Sequence, residues 1–425
     1  MPPIRFIHAA DLHLDAAFSG LSRDIPADFA ERLRTATFTA FRRLLDLCER
    51  ESPDFLLLAG DVYNQEDASV SAQLALRDGF RRLESLSIPV FLVHGNHDPL
   101  ASRLRSVRWP GNVTVFGELP DAVPVFRKGE GTPLAIIHGA SHASGRETRN
   151  LAALFRRTEA CGLHVGLLHA TPGDADGVAR YAPFSQEDLK ASGMDYWALG
   201  HIHDRREVCR EPLAAYPGCT QGLHINEPGE KGCLLVTAEA RTDGGYAVRT
   251  SFRPLGPAVW KTLDMDLGGA ASLDELENRL RTGLDRAAAE VWSGCEMLLV
   301  RLRLQGRTEL DGLLRKGTTC AELADRLREG GNGVPRIWIK DIDVATRPCV
   351  ERGALLERED LLGEVFRLSE AARTASGLQA LREGPLAPLF AHARAGKALE
   401  PLTDEELARL LDDAESLCLD LLEND

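Results

Sequence analysis

The chain has 425 residues, more than one hydrophobic core usually supports, so we expect two or three domains. Its hydrophobic fraction of 44% and charged fraction of 27% are ordinary for a globular protein in water, and no apolar run approaches the roughly 20 residues that span a bilayer. The formal net charge of −14 counts against a uniformly basic surface for autonomous DNA binding and leaves room only for a local basic groove.

The first half of the chain alternates short apolar runs, which predict strands, with amphipathic stretches, which predict helices. The predicted strands are Ile4–Ala9, Phe55–Leu58, Val90–His94, Leu134–His138, Val165–His169 and Tyr196–Leu199. One helix is predicted over Phe29–Cys48, where apolar residues recur near helical spacing, and a second over Ser71–Leu86. This alternation indicates an α/β sandwich whose sheets are covered by helices.

The pattern changes at Arg253–Pro257, which has the composition of a linker. Three more strands are predicted beyond it, over Val259–Leu267, Met297–Leu304 and Arg336–Val344. A capping box at Ser272–Glu275 predicts the start of a helix between the first two of them. From Leu355 onward the chain is predicted to be helical, and a second capping box at Thr403–Glu406 begins an acidic helix with an apolar stripe. We therefore expect three domains, over residues 1–255, 256–347 and 348–425.

Five short motifs place polar side chains at or just after the ends of predicted strands. They are Asp11-Leu12-His13, Gly60-Asp61, Gly95-Asn96-His97-Asp98, His169 and Gly200-His201-Ile202-His203. Eleven of the twelve histidines lie at or before His224, which favours an imidazole-rich metal site in the first domain. In α/β sheets, ligands collect at the carboxyl ends of the strands because the loops there converge.

Taken singly, each motif has an ordinary structural explanation. Gly60-Asp61 is a common turn, and a lone His169 is more often a core histidine than a ligand. All five motifs in this order, each at a strand end, are difficult to explain in that way. Carboxylate, imidazole and amide donors without thiolate suit manganese, iron or zinc. Two such cations, roughly 3.5–4 Å apart, neutralise a phosphodiester and supply a nucleophile at neutral pH, so the motifs predict a two-metal phosphoesterase.

The cysteines and the amino terminus bear on where the protein works. The nine cysteines are scattered, odd in number and without a CxxC pair, which argues against a disulfide framework and a thiolate zinc site. The residues before the first motif already belong to a predicted strand, so we expect no signal peptide. These features predict a cytoplasmic protein with reduced thiols.

The five motifs are signatures of calcineurin-like metallophosphoesterases, and the sequence around them resembles the DNA repair exonucleases related to SbcD, especially their YhaO-like subgroup. The resemblance covers roughly residues 4–240 and is carried by FIHAADLHLDAAFSGL, LAGDVYN, VHGNHDP, DYWALGHIHDR and YPGCTQGLHINEPGEKGC. It implies a four-layer α/β/β/α sandwich, a smaller α/β capping domain and a C-terminal helical segment. Two residues depart from the SbcD pattern: Asp15 replaces a glycine, and Leu223 replaces an arginine expected to contact substrate phosphate.

The resemblance also assigns roles to the motif residues. One metal ion would be held by Asp11, His13, Asp61 and His203. The other would be held by Asp61, Asn96, His169 and His201, with Asp61 bridging the two. A hydroxide between the metals would attack the phosphate, while His97 assists the leaving oxygen and Asp98 orients His97. The expected ions are Mn²⁺, with Fe²⁺ or Zn²⁺ as alternatives.

By the same resemblance, the substrate would be DNA, the partner an SbcC-like ATPase, and the oligomer a homodimer. Arg205 and Arg206 are candidates for contacts with DNA phosphates, with a solvated loop as an equal alternative. The acidic C-terminal helix would dock on the partner or pack on its own domain. His8 and His94 are expected to pack in the core or to support the ligands from behind. His138 and His142 are expected to line the cleft or to be histidines with satisfied hydrogen bonds.

Two other functions compete with a DNA exonuclease or endonuclease. A phosphodiesterase acting on small molecules such as cyclic nucleotides would have an identical metal site, although it would not need the long second half of the chain. A metal-bound, non-catalytic scaffold subunit of an ATPase complex would not need a complete ligand set with His97 retained. Both are distinguished from a nuclease by their turnover of DNA and of simple phosphodiesters.

Overall fold

The computed structural model describes residues 2–21, 25–64, 69–101, 107–127, 129–173, 180–242, 244–329, 333–349, 352–392 and 402–422. The chain forms two compact units, each assembled from several segments. The first comprises Met1–Thr262, Ala287–Val300 and Asn332–Lys340, and the second comprises Leu263–Arg286, Arg301–Gly331 and Asp341–Asp425. The division into three domains made from sequence stays a prediction. Among the described residues, no helix has both the length and the apolar character needed to cross a membrane.

Six strands form the first sheet. They are β1 (Ile4–Ala9), β2 (Phe55–Ala59), β3 (Val90–Val93), β4 (Val113–Val115), β11 (Gly232–Ala240) and β12 (Tyr246–Pro254), in the order β12-β11-β1-β2-β3-β4. Strands β1 to β4 are parallel, whereas β11 is antiparallel to both β1 and β12. Strands β2 and β3 are buried along their whole length, which explains their continuous apolar sequence.

Six further strands form the second sheet. They are β5 (Asp121–Val125), β6 (Ala135–Ala140), β7 (Leu163–His169), β8 (Tyr196–Gly200), β9 (Arg206–Arg210) and β10 (Leu213–Tyr216), in the order β5-β6-β7-β8-β10-β9. Strands β6, β7, β8 and β10 are parallel, and the edge strands β5 and β9 are antiparallel to their neighbours. The parallel strands of both sheets carry the five motifs at or beyond their carboxyl ends.

Three hydrophobic cores separate four layers in the first unit. Its helices are α1 (Ala27–Arg34), α2 (Ala36–Glu51), α3 (Val70–Ser85) and α4 (Gln186–Ala191), with a 3₁₀ turn at Ala152–Leu154. One core packs Leu44 and Phe80 of the helices onto the first sheet. A second core lies between the sheets and contains Phe6 and Tyr196, and a third packs Trp197 onto the helical layer of the second sheet. The predicted four-layer α/β/β/α sandwich is confirmed.

The helix predicted over Phe29–Cys48 is two helices rather than one. Helix α1 ends and α2 begins at Thr35, whose φ and ψ are −97° and 2°. The Thr35 hydroxyl donates to the carbonyls of Glu31 and Arg32, and such local bonding competes with regular helix. The apolar spacing continues across this break, so the sequence pattern alone predicts a single helix.

The remainder of the chain contains a three-stranded sheet and eight helices among the described residues. The strands are β13 (Ala258–Asp266), β14 (Met297–Thr308) and β15 (Arg336–Pro348), in that order, accompanied by α5 (Leu273–Glu290), α6 (Asp311–Leu314) and α7 (Thr319–Arg328). The C-terminal segment contains α8 (Arg352–Leu356), α9 (Leu361–Ala372), α10 (Ala375–Glu383), α11 (Ala387–Ala391) and α12 (Asp404–Leu422). The smaller α/β segment and the C-terminal helical segment are therefore both present. The capping box at Thr403 is confirmed, because Thr403 and Glu406 exchange side chain to backbone hydrogen bonds.

Candidate metal centre

The loops that follow β1 and β2 are bonded to each other through their backbones. The N–H of Asp11 donates to the carbonyl of Gly60 at 3.1 Å, and the N–H of His13 donates to the carbonyl of Asp61 at 3.0 Å. The N–H of His201, beyond β8, donates to both oxygens of the Asp11 carboxylate at 3.1 and 3.0 Å. Three of the five motifs are thus joined to one another by hydrogen bonds.

Four of the seven predicted metal ligands have a positive φ angle. The values are 50° at Asp11, 40° at His13, 49° at Asp61 and 103° at His201. Residues other than glycine seldom adopt a positive φ angle, and those that do are concentrated at functional sites. Since β1 ends at Ala9, this backbone conformation sets the directions of the Asp11 and His13 side chains.

Glycines give the site the space that its side chains occupy. A Cβ at Gly95 would meet Asp61 Oδ1 and would lie 2.8 Å from the His169 ring. A Cβ at Gly200 would meet the carbonyl of Ala59 and would lie 2.9 Å from His169 Nδ1. A larger residue at either position would therefore displace a predicted ligand.

The first group of donor atoms comes from Asp11, His13 and His203, whose ligating atoms all lie within 4.8 Å of one another. The Nε2 atoms of His13 and His203 are 3.1 Å apart. Each Nδ1 faces a side-chain oxygen, Asn64 Oδ1 at 2.6 Å from His13 and Glu227 Oε1 at 2.5 Å from His203. Because these oxygens accept, each Nδ1 carries a proton, which leaves Nε2 as the ring atom that can bind a cation.

The second group comes from Asp61, His169 and His201, again with ligating atoms within 4.8 Å of one another. Asn96 adds an amide oxygen, because its Oδ1 lies 3.0 Å from His169 Nε2. The Oδ2 atom of Asp61 is 3.3 Å from His169 Nε2 and 3.9 Å from His13 Nε2. Asp61 therefore lies between the two groups.

The buried charges of the site shift one another's pKa values. Burial alone would raise the pKa of Asp61, but the imidazoles of His169 and His13 outweigh it and hold that pKa below its ordinary value. Burial would lower the pKa of His169, but Asp61 outweighs it and raises that pKa to about 9. At Asp11 burial prevails, and its pKa is raised. Positive charge is thus stabilised beside Asp61.

The donor set fits a pair of divalent cations. His13 Nε2 and His203 Nε2 face each other at 3.1 Å, so a cation bound there would be held by both rings. All the donors are nitrogen or oxygen, a set that suits manganese, iron or zinc. The rings of His13, His169 and His203 have their Nδ1 atoms hydrogen-bonded to Asn64, Ala59 and Glu227 respectively. This is how metal-binding histidines are commonly held in proteins.

His97 is exposed, in contrast to the buried Asp61. Its backbone N–H donates to Asp61 Oδ1 at 2.9 Å. Its ring lies edge-on to that of His13, with the ring centroids 5.2 Å apart. An exposed imidazole beside the two donor groups can exchange a proton with a ligand bound there.

The contacts of Asp98 differ from those expected. Its Oδ1 accepts from the N–H of Gly95 at 2.7 Å, and its Oδ2 accepts from the N–H of Val62 at 3.1 Å and lies 3.2 Å from His94 Nδ1. In the described part of the chain, these contacts do not include the imidazole of His97. Asp98 therefore holds the loop that carries His97 through backbone groups, and does not touch the ring that it was expected to orient.

The other predicted residues have mainly structural contacts. The guanidinium of Arg205 lies 4.0 Å from the centre of the Phe252 ring, and that of Arg206 lies 5.6 Å from the centre of the Tyr216 ring. His8 is fully buried and bridges the sheets, with Nδ1 2.9 Å from the Tyr196 hydroxyl and Nε2 3.2 Å from the carbonyl of Leu199. A role for either arginine in binding phosphate stays a prediction.

Two further histidines lie on the second sheet or directly after it. His138 pairs with His164 at 3.0 Å. His142 Nε2 lies 2.6 Å from the carbonyl of His169, so His142 contacts the centre through the backbone. His142 therefore adjoins the candidate centre, whereas the contact of His138 is with another imidazole of its own sheet.

Asn64 and Glu227 were not singled out from the sequence. Asn64 follows the Gly60-Asp61 motif by three residues, and its place directly after a motif is a usable signal. Glu227 belongs to the loop between β10 and β11, where it is separated from His203 by 24 residues. No spacing pattern connects the two, so only the folded structure reveals their contact.

Similarity to known proteins agrees with this geometry. Residues 4–205 match the family of calcineurin-like phosphoesterases, and residues 260–347 match the middle domain of metallophosphoesterase YhaO. The uncharacterized metallophosphoesterase YhaO of Bacillus subtilis is 34% identical over 388 residues, covering 90% of this chain and 91% of that protein. The DNA double-strand break repair protein Mre11 of Aeropyrum pernix is 27% identical over 319 residues, covering 68% and 69%. This chain belongs to the YhaO group of the calcineurin-like metallophosphoesterases, which are metal-dependent hydrolases of phosphoester bonds.

Proposed function

We propose that this chain is a two-metal phosphodiesterase that cleaves DNA. The observation that carries the proposal is the position of Asp61 between two groups of donor atoms, with the exposed His97 beside them. The choice of DNA is supported by the similarity to Mre11 proteins, whose names describe repair of DNA double-strand breaks. It is also supported by the sequence that flanks the motifs.

In this proposal, two ligand sets share the Asp61 carboxylate. The first set is Asp11, His13, Asp61 and His203, and the second is Asp61, Asn96, His169 and His201. Bound divalent cations would neutralise charge on the phosphate oxygens and activate a water for attack, and we expect Mn²⁺, with Fe²⁺ or Zn²⁺ as alternatives. The bond from the Asp11 N–H to the Gly60 carbonyl and the bonds from the His201 N–H to the Asp11 carboxylate fix the ligands before substrate arrives, which limits reorganisation during the reaction.

His97 supplies the proton that the leaving oxygen requires. Its exposure allows its imidazole to reach a bound phosphodiester, while its N–H bond to Asp61 fixes its backbone beside the ligands. Asp98 acts indirectly, through its bonds to Gly95 and Val62, by fixing the loop that carries Asn96 and His97. General acid assistance of this kind contributes about 10²–10⁴-fold to rate.

The proposal is tested with the purified chain, Mn²⁺, linear duplex DNA, single-stranded DNA and bis-p-nitrophenyl phosphate. We expect cleavage of DNA and of the simple diester, with loss of both on chelation or in the Asp61→Asn variant. The control is Asp121→Asn, which removes an exposed carboxylate on the edge strand β5. This control should keep full activity.

The outcomes separate nuclease activity from the competing functions. Turnover of cyclic nucleotides without cleavage of DNA would replace the nuclease with a small-molecule phosphodiesterase. Failure to hydrolyse even bis-p-nitrophenyl phosphate, in a chain that binds two Mn²⁺ ions, would favour a non-catalytic scaffold. Either result contradicts the proposed substrate, whereas absence of Mn²⁺ binding contradicts the metal site itself.

We also propose that the C-terminal segment docks on an SbcC-like ATPase and that the chain is a homodimer. Support for docking comes from α12, on which Leu417 and Leu421 are 58% and 65% exposed, because exposed apolar side chains in clusters mark interfaces. Co-elution with the ATPase should be lost in Leu417→Glu and kept in Leu119→Glu, where the leucine is 57% exposed in the first unit. Equal co-elution of both variants would contradict the docking, and a monomeric mass by light scattering would contradict the homodimer.

A further inference from the structure

His203 is held at both its backbone and its ring. Its carbonyl accepts a hydrogen bond from Lys231 Nζ at 3.1 Å, and Lys231 is itself buried. Its ring Nδ1 lies 2.5 Å from Glu227 Oε1. The ring therefore has a fixed rotation, with Nε2 directed at His13 Nε2, 3.1 Å away.

Glu227 is itself oriented by the backbone of its loop. Its second oxygen, Oε2, accepts from the N–H of Leu223 at 2.7 Å. The backbone N–H of Glu227 donates to the carbonyl of His224 at 2.9 Å. Only 20% of the Glu227 side chain is exposed, so water competes weakly for its oxygens. One carboxylate oxygen is thus hydrogen-bonded to the backbone of the loop, and the other to the imidazole of His203.

The Nδ1 atom of His203 is hydrogen-bonded to a carboxylate, whereas the Nδ1 atoms of two other predicted ligands are hydrogen-bonded to neutral oxygens. The Nδ1 atom of His13 faces the amide oxygen of Asn64, and that of His169 faces the carbonyl of Ala59, both neutral oxygens. A carboxylate partner withdraws the Nδ1 proton more strongly and leaves more electron density on Nε2. Of these three rings, His203 is the one whose Nδ1 atom faces a carboxylate.

We propose that Glu227 is a positioning residue that fixes the tautomer and rotation of His203 and thereby strengthens one of the two metal sites. The inference rests on the proposed function, since it requires that His203 binds a cation. The affected ion is the one assigned to Asp11, His13, Asp61 and His203. The other ion depends on Glu227 only through the shared Asp61 carboxylate.

The test is titration of the metal-free full chain with Mn²⁺, followed by calorimetry and by the paramagnetic resonance of the free ion. We expect two ions per wild-type chain. In Glu227→Gln, one of the two should bind about 10- to 100-fold more weakly, the usual effect of losing such a partner. The matched control is Glu51→Gln, because Glu51 is 21% exposed and lies 2.5 Å from Arg5. The control should bind both ions as the wild type does.

A second measurement separates positioning from general stabilisation. The unfolding temperatures of wild type and Glu227→Gln are compared in chelator, where we expect similar values. A large fall in Glu227→Gln, with both ions weakened alike, would indicate a structural role and overturn the inference. Glu227→Asp, which keeps the carboxylate, should recover part of the lost affinity, whereas no recovery would count against a role for the charge.

The remaining outcomes distinguish this inference from the proposed function. If the wild type binds two ions and Glu227→Gln binds both with unchanged affinity, the positioning role is wrong and the metal site stands. If the wild type binds no Mn²⁺, both fail. If it binds three ions, Glu227 has to be tested as a ligand of the third, because His203, Cys219 and Glu227 also have donor atoms within 4.8 Å of one another. Loss of that third ion in Glu227→Gln would overturn the inference.

Discussion

At the scale of residues, the metal centre depends on a few buried atoms, each of which contacts more than one neighbouring residue. Asp61 is 1% exposed, and its carboxylate accepts from the N–H of His97 and lies close to both His13 and His169. Burying a carboxylate is costly unless it is paired, and here imidazoles provide the pairing. A substitution at one position therefore affects several contacts. Its effect depends on whether the residue is a buried donor such as Asp61 or an exposed neighbour such as His97.

His97→Ala should reduce turnover and leave the metal ions in place. Because His97 contributes only its backbone to the Asp61 contact, its side chain is not needed to hold the donors. We expect kcat on bis-p-nitrophenyl phosphate to fall about 10²–10⁴-fold, with two Mn²⁺ ions still bound. The exposed His392 provides a control, since His392→Ala should change neither quantity. Loss of metal together with activity would instead make His97 a ligand.

Gly95→Ala should impair metal binding in a chain that still folds. The added Cβ would meet Asp61 Oδ1 and the His169 ring, and overpacking of this kind costs about 1–3 kcal/mol. We expect weaker binding of Mn²⁺ by calorimetry and a lower unfolding temperature. Gly131→Ala is the matched control, because a Cβ there meets no described atom within 4 Å. Equal metal affinity in the two variants would show that the loop yields at little cost.

At the scale of elements, helices and strands bring the motif loops together and fix their starting points. Helix α3 begins at Ser69, whose hydroxyl accepts from the N–H of Ala72 at 3.0 Å. This helix packs Leu76 and Phe80 into the same core as β2 and β3, whose carboxyl ends carry two of the motifs. The stability of the site is therefore linked to caps and cores that do not touch it.

Ser69→Ala should destabilise the protein by about 1 kcal/mol, because an N-cap side chain satisfies one of the free N–H groups at a helix start. Urea unfolding of the metal-free chain measures the change. Ser85→Ala, in the last turn of the same helix, removes a hydroxyl that donates to the carbonyl of Arg82 and caps no N–H. A cost for Ser85→Ala as large as that for Ser69→Ala would contradict the capping explanation.

The sequence predicted the buried strands β1, β2 and β3 better than the edge strands of the two sheets. Strands β2 and β3 are continuous apolar runs because both of their faces are covered, and β1, β2 and β3 were placed within one residue at each end. Strands β9 and β12 are largely exposed or half-buried, and their polar sequences did not indicate strands. Where burial does not impose a pattern, pairing with a neighbouring strand decides the structure, and a single sequence carries little of that information.

The candidate site, like the fold, could be predicted only in part from the sequence. The seven predicted ligands follow strand ends in one unit, so the topology of a parallel sheet was enough to predict their convergence. The contacts of Glu227 and Asp98 were not predicted, since they depend on how separate loops approach each other. The positive φ angles at Asp11 and Asp61 were equally hidden, because neither is a residue type that requires them.

At the scale of the whole molecule, buried neutral histidines couple stability to pH. Burial lowers the pKa of His8 to about 3, and it lowers the pKa values of His138 and His142 to about 4, from an ordinary value of 6.5. The unfolded chain binds these protons below pH 6.5, while the folded chain does not bind them until the pH is near 4 or lower. Protons therefore favour the unfolded state throughout that interval.

We expect the free energy of unfolding in chelator to fall as pH decreases from 6.5 toward 4, by about 1.4 kcal/mol per pH unit for a fully buried group such as His8. Urea unfolding at a series of pH values measures the slope. His138→Gln removes one of the groups and should make the slope shallower. A stability that is flat over this interval would show that these imidazoles become protonated without unfolding.

The hydrogen bonds that join Asp11, Gly60, Asp61 and His201 have a consequence for how the protein exchanges its ions. Since the donor groups are held together by these hydrogen bonds, the metal centre should keep its geometry after chelation. Reloading would then be a simple bimolecular capture, with a rate proportional to the concentration of added ion. A slow phase independent of ion concentration would mean that the donor groups rearrange in the absence of ions and must return before an ion can bind.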